Sequence, residues 1–281
     1  MTWKSESGKD YKLCLLDTNV ISEVVKNPEV EGIGFAKLFP PDSYAPCISF
    51  FSLLELKRRT DLFQKFVSFF SKYPCFLLKP QKLILDEERK ARGDVSLVQP
   101  LQNAFSFLGS EPSFDIKYFM DEMFSLEFFD DLARNWRSEE IEILNGWLAN
   151  KENFEASKSS PNSEDAEEYL SQAGIQSLIN SDLDWAGQEI QAGRILNINH
   201  FPSLRFFLYS QYYRLYDPYW KAKPKEVTDV LIYSVAPYMD VVIAERYQAE
   251  VFRKTQARIP ELADTEVYIL RDLRVKAETD V

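Results

Sequence analysis

Short apolar runs followed directly by helical patterns occur near both ends of the chain, and this alternation constrains the fold more than any other feature. The N-terminal units are a strand at 12–16 with a helix at 20–27, and a strand at 45–50 with a helix at 51–72. The C-terminal unit comprises a helix from 226 to about 238, a strand at 241–244, a helix at 247–258 and a strand at 267–270. Strands joined through helices pair in parallel, so the pattern predicts an α/β fold with a central parallel sheet.

The acidic residues of the chain are concentrated in its middle. The net charge is −11, but residues 95–200 hold 19 of the 44 acidic and 6 of the 33 basic residues, a balance of −13. The remaining 25 acidic and 27 basic residues leave the rest at +2, as suits a surface that binds a polyanion. We therefore predict a discontinuous α/β core at 10–94 and 201–275, interrupted by an acidic α-helical insertion at 95–200 with a polar linker or loop at 151–168. The insertion could serve as a docking surface, a lid or a mimic of nucleic acid.

Composition excludes several kinds of chemistry. The single histidine, His200, rules out multi-histidine zinc sites and argues against Ser-His-Asp or Cys-His catalysis, and the three cysteines lack metal-ligand spacing. The chain has nine glycines and no glycine-rich phosphate loop. Catalysis would therefore depend on carboxylates or on a hard metal ion. We expect a cytoplasmic protein, since the apolar runs are too short to span a bilayer and the N-terminal residues are polar.

Four acidic residues are predicted to meet at one edge of the sheet. Asp17 and Glu245 each follow a strand directly, while Glu55 and Asp229 lie on helices next to strands. Each has a structural alternative: Asp17 can cap a helix, Glu55 and Asp229 can favour helix N-termini, and Glu245 can form a surface ion pair. Four carboxylates at one edge repel one another unless a cation neutralises them. Mg²⁺ or Mn²⁺ suits such an all-oxygen site and supports phosphodiester hydrolysis.

Basic and aromatic residues flank these acids in the sequence. Three basic residues follow Glu55, namely Lys57, Arg58 and Arg59. Three lysines precede Asp229, namely Lys221, Lys223 and Lys225. Both groups could bind RNA phosphates, and the alternative for each is a solvated helix face. The aromatic stretch 206–220, which contains Arg214, could stack unpaired bases or form a packed helix face between insertion and core.

Three segments resemble the PIN-domain family, which includes VapC-like toxins and other bacterial PIN ribonucleases. The segments are LCLLDTNVISEVVKNP, CISFFSLLELKRR and TDVLIYSVAPYMDVVIAER, and the match covers about 10–75 and 224–272. The resemblance implies a three-layer α/β/α fold with Asp17, Glu55, Asp229 and Glu245 as catalytic metal ligands, supported by Thr18 and Asn19. The fourth acid of the family is commonly Asp, so Asp240 competes with Glu245. The gap between Glu55 and Asp229 is also longer than in a compact PIN domain.

The resemblance also predicts a function. It implies a Mg²⁺- or Mn²⁺-dependent endoribonuclease acting as a toxin or defence effector, with an RNA substrate, an antitoxin or other regulatory protein, and a homodimer as partners. The alternatives are a DNA-directed or structure-specific nuclease with the same site, and a catalytically inactive PIN-like scaffold that binds proteins through its acidic helices.

Overall fold

The computed structural model describes residues 2–4, 8–102, 125, 127–156, 164–217, 219 and 221–278. Within these residues, six strands form one sheet. They are β1 (Thr2–Lys4), β2 (Asp10–Leu16), β3 (Tyr44–Ile48), β4 (Phe76–Leu77), β5 (Val241–Ala244) and β6 (Glu266–Ile269). The order is β4-β3-β2-β5-β6 with parallel pairing throughout, and β1 pairs antiparallel with the start of β2. The predicted α/β fold with a mostly parallel central sheet is confirmed.

Helices cover both faces of this sheet. The α-helices of the described residues are α1 (Thr18–Lys26), α2 (Ile33–Leu38), α3 (Phe50–Arg58), α4 (Thr60–Phe70), α5 (Gln81–Ala91), α6 (Glu127–Ala156), α7 (Glu164–Ser181), α8 (Leu183–Gln191), α9 (Pro202–Leu215), α10 (Lys225–Tyr233), α11 (Arg246–Gln256) and α12 (Leu270–Glu278). None of these helices combines the length and the apolar character needed to cross a membrane.

Alternate residues of the central strands enter two separate cores. In β2, Leu13 and Leu15 pack on the face covered by α5, α7, α9 and α11, while Cys14 and Leu16 pack on the face covered by α1 to α4 and α12. All four side chains are buried. Strands buried on both faces read as continuous apolar runs, which is why KLCLL stood out in the sequence. The result is a helix–sheet–helix arrangement of layers.

The described part of the predicted insertion packs on the core of its own chain. Helix α6 buries Leu144 and Trp147 against Val227 and Val230 of α10. Helix α7 buries Leu170 and Leu178 in the same core as the strands, and it packs on α9. The described part of the predicted insertion therefore covers the α/β core of the same chain. Residues 103–124 and 126, also within the predicted insertion, lie outside the described residues.

Two predicted elements differ from the structure. The long helix at 51–72 is two helices, because Arg59 leaves the helical conformation (φ −120°, ψ 68°) and its carbonyl starts α4 by accepting the N–H groups of Leu62 and Phe63. The polar linker at 151–168 is helical at both ends, through Ala156 and from Glu164. Its Glu, Lys and Ala residues favour helix, which outweighs the lack of apolar periodicity. The middle of that segment, 157–163, lies outside the described residues.

A buried carboxylate, Glu88 of α5, joins three elements of the core. It accepts hydrogen bonds from the Ser203 N–H (2.8 Å), the Ser203 hydroxyl (2.8 Å) and the Tyr238 hydroxyl (2.5 Å). Burial raises the pKa of Glu88 from its ordinary 4.5 to about 7, and these hydrogen bonds limit the rise. Glu88 thus binds its proton more tightly in the folded chain than in the unfolded chain.

This burial predicts a pH-dependent stability. Between about pH 4.5 and 7 the folded state holds more protons at Glu88, so its contribution, fully present below pH 4.5, is lost as pH rises through 7. Titration of Glu88 should lower the free energy of unfolding of the wild type by about 3 kcal/mol as pH rises, and Glu88→Gln should lack this decrease. Urea unfolding at pH 5 and pH 8 measures the difference. Glu87→Gln, at the partly exposed neighbouring position, is the control. A pH dependence in Glu88→Gln equal to that of the wild type would contradict the prediction.

Candidate functional site

Asp17 lies at the carboxyl end of the central strand β2, at the N-cap position of α1. Its side chain is buried, with 2% exposure, yet the carboxylate makes no capping hydrogen bond to the helix. One oxygen, Oδ2, is fully buried and has no hydrogen-bond partner. A carboxylate oxygen left unsatisfied in the interior is costly, so the structural role of a helix cap does not account for this residue.

Other acidic side chains lie close enough to Asp17 to affect its ionisation. Burial, together with the negative charges of Glu245 and Glu55, raises the pKa of Asp17 from its ordinary 3.8 to about 6. The Tyr233 hydroxyl and the Asn19 backbone N–H lie near the carboxylate and act in the opposite direction. Neither Asp17 Oδ2 nor the Tyr233 hydroxyl, however, has a partner with regular hydrogen-bond geometry.

Asp229, on α10, belongs to the same group. Burial raises the pKa of Asp229 well above its ordinary value, and the charge of Asp17 raises it further. Arg214 and Lys225 are close enough to lower it. Asp17 and Asp229 are therefore close enough for their charges to interact, in a poorly solvated region where like charges repel strongly.

The two glutamates lie close enough to Asp17 for their charges to act on it. Glu55 is half-buried on α3 and lines a cleft of about 300 Å³. The cleft is also lined by Thr18, Asn19, Ser22, Leu56, Arg58, Arg59 and Leu62. Glu245 directly follows β5 and occupies the N-cap position of α11 without a side-chain cap hydrogen bond. Because β2, β3 and β5 are parallel neighbours, the segments that follow them meet at one edge of the sheet.

These acids do not form a closed cage around one point. In the part of the chain that the structure describes, no three acidic, histidine or cysteine side chains stand together in a position to hold one ion. The chemistry of the donor set nevertheless suits a hard cation, because every donor is a carboxylate and Asp17 presents a buried oxygen without a partner. Asp17, Glu55, Asp229 and Glu245 are thus the candidate donors for Mg²⁺ or Mn²⁺, and they would have to move closer together for three of them to bind one ion.

Thr18 and Asn19, predicted to support the carboxylates, occupy different places. The Thr18 hydroxyl donates to Ser52 Oγ at 3.0 Å, and Ser52 Oγ lies 3.0 Å from Ser49 Oγ at the start of α3. Thr18 therefore ties α1 to the helix that carries Glu55. Asn19 lines the cleft and presents its backbone N–H to Asp17.

Asp240 lies at the other end of β5 from Glu245. Its Oδ2 accepts the Leu13 N–H at 2.8 Å, and its own N–H donates to the Leu13 carbonyl at 3.0 Å. The two acids are separated by strand β5, whose four residues span about 13 Å. The structure therefore brings Glu245, and not Asp240, to the edge where Asp17 lies. Asp240 was an attractive candidate because the sequence alone does not say at which end of a short strand a carboxylate acts.

The candidate RNA-binding residues divide into two groups. Arg58 and Arg59 are exposed and line the cleft beside Glu55, although Arg59 also pairs with Asp61 at 3.0 Å. Lys57 is engaged with the insertion, since its Nζ lies 2.5 Å from Asp130 of α6. The second group comprises exposed lysines just before and at the start of α10, namely Lys221, Lys223 and Lys225. Of these, Lys225 lies near enough to Asp229 to lower its pKa.

Residues outside the sequence prediction complete the site. Tyr233 lies beside Asp17, and Gln248 of α11 donates to Asp229 Oδ2 at 2.7 Å. Arg214 is buried on α9, with 1% exposure. An arginine within an aromatic segment that packs as core requires a buried partner, and this signal could have identified it. Helix α9 is buried over most of its length, so its aromatic residues pack in the core instead of forming an open stacking surface.

Comparison with known proteins adds no assignment. No family model matches this chain, and neither the curated proteins nor the solved structures contain a match. Any function must therefore be inferred from the geometry and chemistry of the acidic group around Asp17.

Proposed function

We propose that this chain is a PIN-like, metal-dependent endoribonuclease that hydrolyses RNA phosphodiester bonds. The observation that carries the proposal is the environment of Asp17, a carboxylate that is 2% exposed, has an unpartnered oxygen and lies among other acidic side chains. A folded chain keeps such an arrangement at a cost in stability, which is common at functional sites. A divalent cation would offset the repulsion between these acids.

The residues around this group suit a phosphodiester substrate. Asp17, Glu55, Asp229 and Glu245 would hold Mg²⁺ or Mn²⁺, which when bound would activate water and stabilise the leaving oxygen. Arg58 and Arg59 lie on the cleft that contains Glu55 and can bind the phosphates on either side of the scissile bond. Carboxylates repel a polyanion, so a metal ion and these arginines together would be needed to seat it. An antitoxin-like regulator and a homodimer are the partners that the PIN resemblance adds to this proposal.

Metal-dependent cleavage of RNA is the first expected result. Purified protein incubated with labelled single-stranded RNA and Mn²⁺ should produce internal cuts, and excess EDTA should abolish them because the carboxylates alone supply no nucleophile. A DNA strand of the same sequence tests the alternative of a DNA-directed nuclease. No cleavage of either polymer with Mn²⁺ or Mg²⁺ would refute the proposal.

Matched variants at the two ends of β5 test the site itself. Glu245→Gln should lower the rate of cleavage by about 10-fold or more, as expected for a residue that holds a metal. Asp240→Asn makes the same kind of change at the opposite end of the strand and keeps an oxygen that can accept the Leu13 N–H. It should cleave like the wild type. The reverse order of effects would assign the fourth position to Asp240.

A further inference from the structure

A chain of buried polar side chains leads from Glu226 to Asp229 through two other helices. Arg214 Nε of α9 donates to Glu226 Oε2 at 3.3 Å, and Arg214 Nη1 donates to the Ser210 carbonyl at 3.0 Å. Arg214 Nη2 donates to Gln248 Oε1 of α11. Gln248 Nε2 in turn donates to Asp229 Oδ2 of α10 at 2.7 Å. Three helices are thereby joined behind one carboxylate of the site.

The direction of every hydrogen bond in this chain is determined by chemistry. A guanidinium has only donors, whereas each oxygen of a carboxyl group can accept a hydrogen bond. Gln248 lies between the two, so its oxygen must face Arg214 and its amide nitrogen must face Asp229. The opposite orientation of the amide would place nitrogen against guanidinium and oxygen against carboxylate. Arg214 therefore selects the orientation in which Gln248 binds Asp229.

We propose that Arg214 and Gln248 are positioning residues that hold the Asp229 carboxylate for metal binding. This inference rests on the proposed function, because it gives Asp229 the role of a ligand. Gln248 engages Oδ2 and so fixes the rotation of the carboxylate. A ligand that is already held in one orientation loses less conformational entropy when it binds an ion. Hydrogen bonds from neighbouring residues orient the ligands of metal sites generally in this way.

Packing alone does not explain the chain of contacts. Arg214 already has a buried counterion in Glu226, whose side chain is 11% exposed, and a carbonyl partner in Ser210. Its remaining contact with Gln248 adds no charge pairing and leads only to Asp229. Helix α9 also packs on α6 and α7, so the helix that carries Arg214 contacts the predicted insertion.

Mn²⁺ affinity in the full-length chain tests this role. Gln248→Met keeps the length of the side chain and removes both hydrogen bonds, and it should weaken Mn²⁺ binding measured by electron paramagnetic resonance by about 10-fold or more. Gln256→Met is the matched control, because Gln256 lies on the same helix and its amide donates to the Leu262 and Thr265 carbonyls instead. It should bind Mn²⁺ like the wild type even if it is less stable. Equal affinity in Gln248→Met and the wild type would overturn the inference.

A second measurement keeps the inference separate from the proposed function. The side-chain amide signals of Gln248 in a ¹⁵N NMR spectrum, assigned by their loss in Gln248→Met, should shift in Asp229→Asn because the charged acceptor is gone. If the wild type binds no Mn²⁺ but these signals shift, the proposed function fails while the hold on Asp229 stands. If they do not shift, Gln248 does not hold Asp229, whatever the affinity for Mn²⁺.

Discussion

Asp17→Asn is expected to abolish RNA cleavage while making the metal-free protein more stable. Loss of residues that only support a metal costs about 10–100-fold, so loss of this central carboxylate should reduce the rate by more than about 100-fold. The pKa of Asp17, raised from its ordinary 3.8 to about 6, means that the ionised form opposes folding by about 3 kcal/mol. Asparagine has the same shape without the charge, so unfolding in urea with EDTA at pH 8 should require more denaturant.

The increase in stability expected for Asp17→Asn should depend on pH. Asp17 is ionised in both the folded and the unfolded chain above pH 6 and neutral in both below about pH 4, so the advantage of Asp17→Asn should shrink as pH falls through that window. Mn²⁺ should stabilise the wild type and not the variant, since an ion that binds only the folded state shifts the equilibrium towards it. A variant that loses activity and stability together would instead indicate that Asp17 is a structural residue.

Arg214→Met is expected to cause the largest loss of stability. The guanidinium is buried, and its removal leaves Glu226 without a counterion and Gln248 Oε1 without its donor. Breaking a buried ion pair from one side typically costs about 3–5 kcal/mol. Urea unfolding at pH 7 should show this loss with an unchanged dependence on denaturant concentration.

Two further variants separate charge from volume. Arg246→Met removes an exposed arginine that pairs with Glu250 at 3.2 Å on the surface of α11, and it should change stability little. The double variant Arg214→Met with Glu226→Gln removes both charges of the buried pair and should recover part of the loss. If the double variant is no more stable than Arg214→Met, the uncompensated charge of Glu226 is not the cause.

Local pattern was sufficient to predict the longer strands of the sheet. The strand predicted at 241–244 is the observed β5, and the run at 12–16 lies within β2. Strands β1 and β4 were not predicted, because segments of two or three residues show no periodicity. The break at Arg59 was also not predicted, since apolar spacing continues across it while the backbone turns away from helical angles.

The sequence by itself determined that Asp17 and Glu245 each follow a buried strand, because burial on both faces requires a continuous apolar run that ends where the chain turns. Only the tertiary structure decided that these strands are neighbours, although they lie at opposite ends of the chain. The same pairing sends Asp240 to the far edge of the sheet and brings Arg214 and Gln248 behind Asp229. Periodicity reports how each element is buried, whereas the partner of each buried polar group is set by packing between distant elements. The arrangement of acidic residues around Asp17 depends on both.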